Sequence, residues 1–243
     1  MRRNSITIIV GALKATRDRI KKMFRKLNAA ASRVPAQPDR EKAGTDLAVL
    51  LNELLASEFF TESVSFTKEQ RKGGTARNCL IQAMMLLDRK YITGFEMQNF
   101  SETGVTAYVE SIRGRCSDKQ CVLLRSAVQY LTDVFDAFPA FPEKEKGLME
   151  LHIPLLLYLA DVAEDEEISP LLFRLWWEFF RSEDILYESY MRESCRRFCD
   201  NGSTALEKVN GRLSIMVKSF CNYHEIEIPE ELEGMAEDAT GPR

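Results

Sequence analysis

Histidine is nearly absent from this chain, with only His152 and His224 among 243 residues. A Ser-His-Asp or Cys-His apparatus would have to use one of these two. Neither stands in a nucleophile-elbow context, so histidine-based catalysis has little material to work with. Proline (8) and glycine (12) are also scarce, while Leu, Glu, Lys and Arg are plentiful. That balance favours helix over sheet, and no convincing run of alternating β-branched residues occurs beyond residues 6–10. No apolar stretch approaches the roughly 18 to 20 uninterrupted residues of a membrane span. The chain contains no CxxC, no GxxxxGK[ST] and no GxGxxG, so neither a zinc knuckle nor a phosphate cradle can be read from spacing. Lys72-Gly73-Gly74-Thr75 reads as an ordinary loop entering a helix.

Six cysteines are present: Cys79, Cys116, Cys121, Cys195, Cys199 and Cys221. They fall in segments of helical pattern, and no plausible signal peptide precedes them. Free thiols in a reducing compartment, the cytoplasm, are the expectation. Cys195 and Cys199 would lie one helical turn apart, a spacing that can chelate a metal. Free cysteine is also a common core residue, so no metal, cofactor or catalytic residue is assigned from sequence.

Charge is unevenly distributed. Residues 1–34 hold ten Lys and Arg against the single acid Asp18, a local +9, so the rest carries −13 to reach the overall −4. Within this head, Ile6, Ile9, Val10, Leu13, Ile20, Met23, Phe24 and Leu27 stand close to helical spacing, with the bases mostly elsewhere on the wheel. Four readings stay open: a docked first helix, a mitochondrial targeting segment, an interfacial helix on anionic membrane, or an arm for nucleic acid or an acidic partner. The membrane reading would use Lys14, Arg17, Lys21, Lys22, Arg25 and Lys26. Specific recognition of nucleic acid has little support beside so acidic a body.

Residues 35–44, with Pro35 and Pro38, read as a linker. The body, 45–228, opens with Thr45 or Asp46 as a helix cap and a stripe of Leu47, Leu50, Leu51, Leu54 and Leu55. Further helices are expected at about 75–89, 103–113, 122–138, 153–160, 171–180, 185–198 and 205–223, with a frayed acidic tail at 229–243. Helix pairs turning at Gln70, Asp118, Asp165 and Asp200 would be spaced 48, 47 and 35 residues apart. Two-helix solenoid repeats use roughly 34 to 47.

The residues Ile153-Pro154-Leu155-Leu156-Leu157-Tyr158-Leu159-Ala160-Asp161, followed by Glu166-Glu167-Ile168 and Leu171 to Trp177, resemble a HEAT repeat. The shared features are a proline early in the first helix, an aliphatic run, an Asp-containing turn and a second apolar helix. Within HEAT proteins the wording of this hairpin is similar to the maestro heat-like family. The match covers about one repeat. It implies an all-α fold of antiparallel helix pairs stacked as a HEAT- or armadillo-like solenoid.

Such arrays are mostly scaffolds, so the first expectation is a non-enzymatic protein that holds a protein partner along one face. Turns of neighbouring repeats align on one edge. That nominates Arg113, Arg115 and Lys119 in one turn and Glu164, Asp165, Glu166 and Glu167 in the next as a surface of alternating charge. The acidic cluster lacks the ligand spacing of an EF-hand loop. Leu172, Trp176 and Phe179 share one helical stripe, and Phe173, Trp177 and Phe180 share the next. A sandwiched helix buries both; otherwise part of the cluster faces a groove, which makes Trp176 and Trp177 candidates for partner binding. The alternatives are a membrane-peripheral adaptor using the head, or a helical enzyme whose pocket would have to gather His152 or His224 with carboxylates.

Overall fold

Residues 153–163 form a helix with no solvent-facing side: Ile153 through Ala163 are all buried. This helix organises the others in the computed structural model, which describes residues 43–64, 66–112, 118–136, 148, 150–181, 195, 197–199 and 202–233. The chain divides into two units, Met1–Glu41 and Lys42–Arg243, and every described residue belongs to the second. The basic head, most of the linker, Arg113, Arg115, Cys116 and most of the helix expected at 185–198 lie outside the described residues.

The described residues form helices and no strand. In chain order they are α1 (Ala43–Leu55), a π-helical turn (Phe59–Ser63), α2 (Lys68–Lys72), α3 (Thr75–Tyr91), α4 (Glu102–Ile112) and α5 (Asp118–Asp136). There follow α6 (Ile153–Asp165), α7 (Pro170–Arg181), α8 (Leu206–His224) and α9 (Glu230–Glu233).

Several local expectations change. Helix α1 starts at Ala43, so Thr45 and Asp46 lie within it rather than at its cap. The polar stretch after residue 61 contains α2, opened by a reciprocal capping box in which Thr67 and Gln70 exchange side-chain and backbone hydrogen bonds of 2.8 and 3.1 Å. Such a box satisfies two of the donors a helix start leaves open. Gly74, at φ +76°, makes the left-handed corner into α3. The start of the acidic tail is docked and not frayed, because α9 puts Leu232 into the core.

The closest backbone neighbours of α6 are α3 and α5, and α8 also packs on it. Helix α3 runs in the same direction as α6. At their N-terminal ends Gln70 Nε2 donates to Glu150 Oε2 at 2.8 Å and the Cys79 thiol donates to the Glu150 carbonyl at 3.5 Å. At their C-terminal ends Lys90 Nζ reaches Asp161 Oδ2 and Asp165 Oδ2, each at 2.7 Å. Helix α5 is tied to the far end of α6 by Ser126 Oγ donating to Glu164 Oε1 (2.8 Å) and Tyr130 OH donating to the Ile168 carbonyl (2.8 Å).

Helix α7 meets α6 across bulky side chains, the His152 and Trp177 ring centroids lying 5.9 Å apart, while its backbone approaches α5 and α8. Along α7 and α8 the rings pair in step, Phe173 and Trp176 with Phe220 at 5.3 and 4.9 Å, then Phe179 with Tyr223 at 5.0 Å. These two helices therefore also run in the same direction. Burying the Phe173, Trp176 and Phe220 rings contributes about 2 to 3 kcal/mol each, before the entropy of ordering the chain is set against it.

Candidate functional site

Helix α7 separates its apolar residues onto two faces. Phe173, Trp176, Trp177 and Phe180, at helical spacings of three and four, are buried. Leu171, Leu172 and Leu175 are 46%, 45% and 45% exposed. The two tryptophans are therefore core residues, a correction to their nomination as partner contacts. Trp176, at 0% exposure, donates its indole N–H to Ser219 Oγ at 3.2 Å, which satisfies its one polar atom inside the core. Trp177 is 1% exposed and stacks on Phe180. Arg174 is buried too, its guanidinium 4.9 Å over the Phe135 ring and 2.7 Å from Glu178 Oε1. The sequence reading missed the leucine ridge. Once residues 173, 176, 177 and 180 are taken as the inward stripe, the leucines at 171, 172 and 175 fall on the outward side, each a little under half exposed.

The acidic turn between α6 and α7 is exposed at Glu164, Asp165, Glu166 and Glu167. Glu167 takes a left-handed φ of +55°, the position usually left to glycine after a helix. Glu164 accepts from Ser126, and Asp165 accepts from Lys90 and, at 3.1 Å, from Tyr91 OH. Below them Asp161, 3% exposed, accepts from Lys90 and, at 2.9 Å, from Tyr91 OH. Burial pushes the Asp161 carboxyl up, and Lys90 and Tyr91 pull against it. The same burial disfavours the Lys90 ammonium, but the two carboxylates hold it above its ordinary value. Lys119 lies 4.6 Å over the Tyr91 ring, so this one described base of the expected basic turn is linked to the acidic turn through Tyr91.

Beside Tyr91 is an open cleft of about 410 Å³ lined by Asp88, Tyr91, Phe95, Lys119 and Gln120 among others. Asp88 is the buried acid at its floor. One of its oxygens accepts from Tyr108 OH at 2.7 Å and the other from Gln120 Nε2 at 2.6 Å. Both oxygens are held by neutral donors, and neither histidine nor cysteine lines the cleft. It offers a place for a ligand, with the Ser111 hydroxyl and the Lys119 amine on its wall but no histidine base among the described residues.

A second cluster forms at the start of α6. His152, in the turn ahead of the helix, comes together with Cys195 and Cys199, one donor atom from each lying within 4.8 Å of the others. Cys195 is 3% exposed, while His152 and Cys199 are half-buried. The Cys199 thiol donates to the Cys195 carbonyl at 3.3 Å, the one-turn spacing expected of the pair. Arg212 of α8, 1% exposed, donates to the Phe198 carbonyl, and its Nε has no acceptor among the described residues. A hydrogen bond from Cys195 pulls the Cys199 thiol down to about 5, with His152 and Arg212 adding to the effect. Cys195 moves the opposite way and keeps its proton, through the same hydrogen bond and burial. The sequence offered the spacing of the two cysteines, but not a histidine brought to them from more than forty residues away.

Compared with family models, with curated proteins and with solved structures, the chain matches none at a significant level. Among the described residues no helix is long and apolar enough to cross a membrane.

Proposed function

We propose that this protein is a non-enzymatic helical scaffold of the cytoplasm that holds a protein partner against α7. We read its helices as a HEAT- or armadillo-like array, a reading supported by an all-helical fold gathered around α6. The observation that carries the reading is the ridge of Leu171, Leu172 and Leu175, each nearly half exposed on a helix whose other face is locked by four buried aromatic residues. Exposed leucines on a rigid backing suit recognition, because ordering them costs little further entropy. The ridge begins four residues after Glu167, beside the acidic turn, so the fitting partner is an amphipathic helix with an apolar stripe flanked by basic residues. Support for a non-enzymatic role comes from the cleft, whose one buried carboxylate accepts a hydrogen bond at each oxygen from a neutral structural partner.

The test compares proteins captured from lysate by the full chain and by its Leu172→Glu/Leu175→Glu variant. These exposed positions should leave stability within about 1 kcal/mol. A partner retained by the native chain and lost by the folded variant supports the reading. An unchanged capture profile sinks it, and loss only on removing residues 1–34 moves the working surface to the basic head.

A further inference from the structure

The convergence of His152, Cys195 and Cys199 is independent of the leucine ridge and asks for its own explanation. Among the described residues no other three ligand atoms from His, Cys, Asp or Glu come so close together. Two thiols and an imidazole are soft to borderline donors, the set zinc prefers over calcium or magnesium. In a tetrahedral zinc site, with bonds of about 2.3 Å to sulfur and 2.0 Å to nitrogen, donors stand roughly 3.5 to 3.8 Å apart. Atoms already within 4.8 Å of one another need to draw in by only about 1 Å.

The surroundings hold these donors in place. The Trp177 ring meets His152 edge-on at an interplanar angle of 70°, and Trp177 is itself clamped in the core. The Phe198 ring lies against Gly211, where a Cβ would come within 2.6 Å of it, so the 197–199 turn is seated directly on α8. Arg212 anchors the same turn through the Phe198 carbonyl and places a positive charge beside the sulfurs. A buried guanidinium calls for a nearby anion, and thiolates answer that need. Ordinary core packing explains Cys195, but not the half-buried Cys199 and His152 converging on it.

We propose that His152, Cys195 and Cys199 form a zinc site with three protein ligands, the fourth position being filled from solvent. On binding, each ligating thiol that still carries a proton releases it to solvent, two Zn–S bonds and one Zn–N bond form, and no oxidation state changes. The site ties Cys195 and Cys199 to the turn ahead of α6. Its class is that of a soft divalent cation held by two thiolates and one imidazole, with one position open to an exogenous ligand.

The experiment uses the full chain, stripped of metal under reducing conditions and titrated with Co²⁺ as a spectroscopic stand-in and then with Zn²⁺. The expected result is one equivalent of Co²⁺ with thiolate-to-cobalt charge transfer and tetrahedral visible bands, displaced by one equivalent of Zn²⁺. Zinc should raise Tm in the native chain. In Cys195→Ser, Cys199→Ser and His152→Ala the zinc affinity should fall by more than about 100-fold, while Cys121→Ser retains it. If a ligand variant fails to fold, the cobalt spectrum of the native chain still reports whether two sulfurs bind. The proposal is overturned by octahedral cobalt without charge transfer, by affinity equal in Cys199→Ser and Cys121→Ser, or by a Cys195–Cys199 disulfide persisting under reductant in place of metal.

Discussion

Replacing Lys90 with Met should destabilise this fold more than a surface charge ever does. Lys90 lies 2.7 Å from Asp161, whose side chain is 4% exposed, and 2.7 Å from Asp165, whose side chain is 56% exposed. Methionine matches the stem of lysine but removes the ammonium, leaving the Asp161 carboxylate buried with the Tyr91 hydroxyl as its remaining donor. Breaking one side of a buried ion pair costs about 3 to 5 kcal/mol. The retained Tyr91 hydrogen bond and the partial exposure of Lys90 put the expectation at the low end, ~3 kcal/mol. At about 2 to 4 °C per kcal/mol for a unit of this size, Tm should fall by roughly 6 to 12 °C.

Asp161→Asn alone should cost less, because Lys90 keeps Asp165 and an amide still accepts from Tyr91. The double variant Lys90→Met/Asp161→Asn should recover much of the Lys90→Met loss, with a coupling of about 2 kcal/mol in urea unfolding. The pH dependence has a fixed sign. In Lys90→Met the folded-state Asp161 sits above its unfolded value of about 3.9, so the unfolded chain gains by ionising first. The deficit should be smallest near pH 4 and grow toward neutrality. Strictly additive single variants would refute the reasoning, because they would mean that α3 and α6 do not meet at this pair.

Two further outcomes follow from local geometry. His224 is packed between Phe220 and Tyr223 at 4.6 and 5.0 Å, and burial pulls it down to about 4 from 6.5. Its neutral form is the folded one, so stability is fully present above pH 6.5 and drains as pH falls toward 4, by roughly 1 to 2 kcal/mol once its partial exposure is discounted. Thermal melts across that window should show a loss in the native chain that His224→Phe lacks, and parallel curves would count against the assignment. Gly104→Ala should cost about 1 to 3 kcal/mol, since its Cβ would lie 2.2 Å from the Asn99 backbone oxygen, which cannot move aside as a side chain could. An unchanged urea midpoint for that variant would mean the connector ahead of α4 is looser than described.

Helix positions were legible because their signals are local. The spacing of Leu47, Leu50, Leu51 and Leu54, the proline at 154 and the acidic break after residue 160 each mark a helix or its end within one or two turns. Boundaries slipped where side chains were asked to act as caps, as at Thr45, or where a short capped turn such as α2 was hidden in a polar stretch. The direction in which an aromatic cluster faces was not legible. Helix α7 is apolar nearly all round, and two overlapping stripes left open whether both are buried or part of the cluster faces a groove. Neighbours decide the matter: α8 closes over Trp176 through Ser219 and Phe220, and His152 packs on Trp177, which leaves the smaller leucines outside.

Two features depend on contacts between distant parts of the chain. A repeat pattern carries information about neighbours only, so it places α6 beside α5 and α7 but says nothing of α3. Yet it is α3 that supplies Lys90 and Tyr91 to Asp161 and completes the burial of α6. The acid at position 161, which reads in the sequence as part of a solvated turn, becomes a buried group that fixes the register of two parallel helices. His152 changes meaning in the same way. As a lone histidine ahead of an apolar helix it reads as ordinary packing. Once α7 sets Trp177 against it and α8 seats the 197–199 turn through Arg212 and Gly211, it becomes the third donor beside two thiols. The same helix, α7, therefore presents the leucine ridge on its outer face and positions the histidine with its inner face.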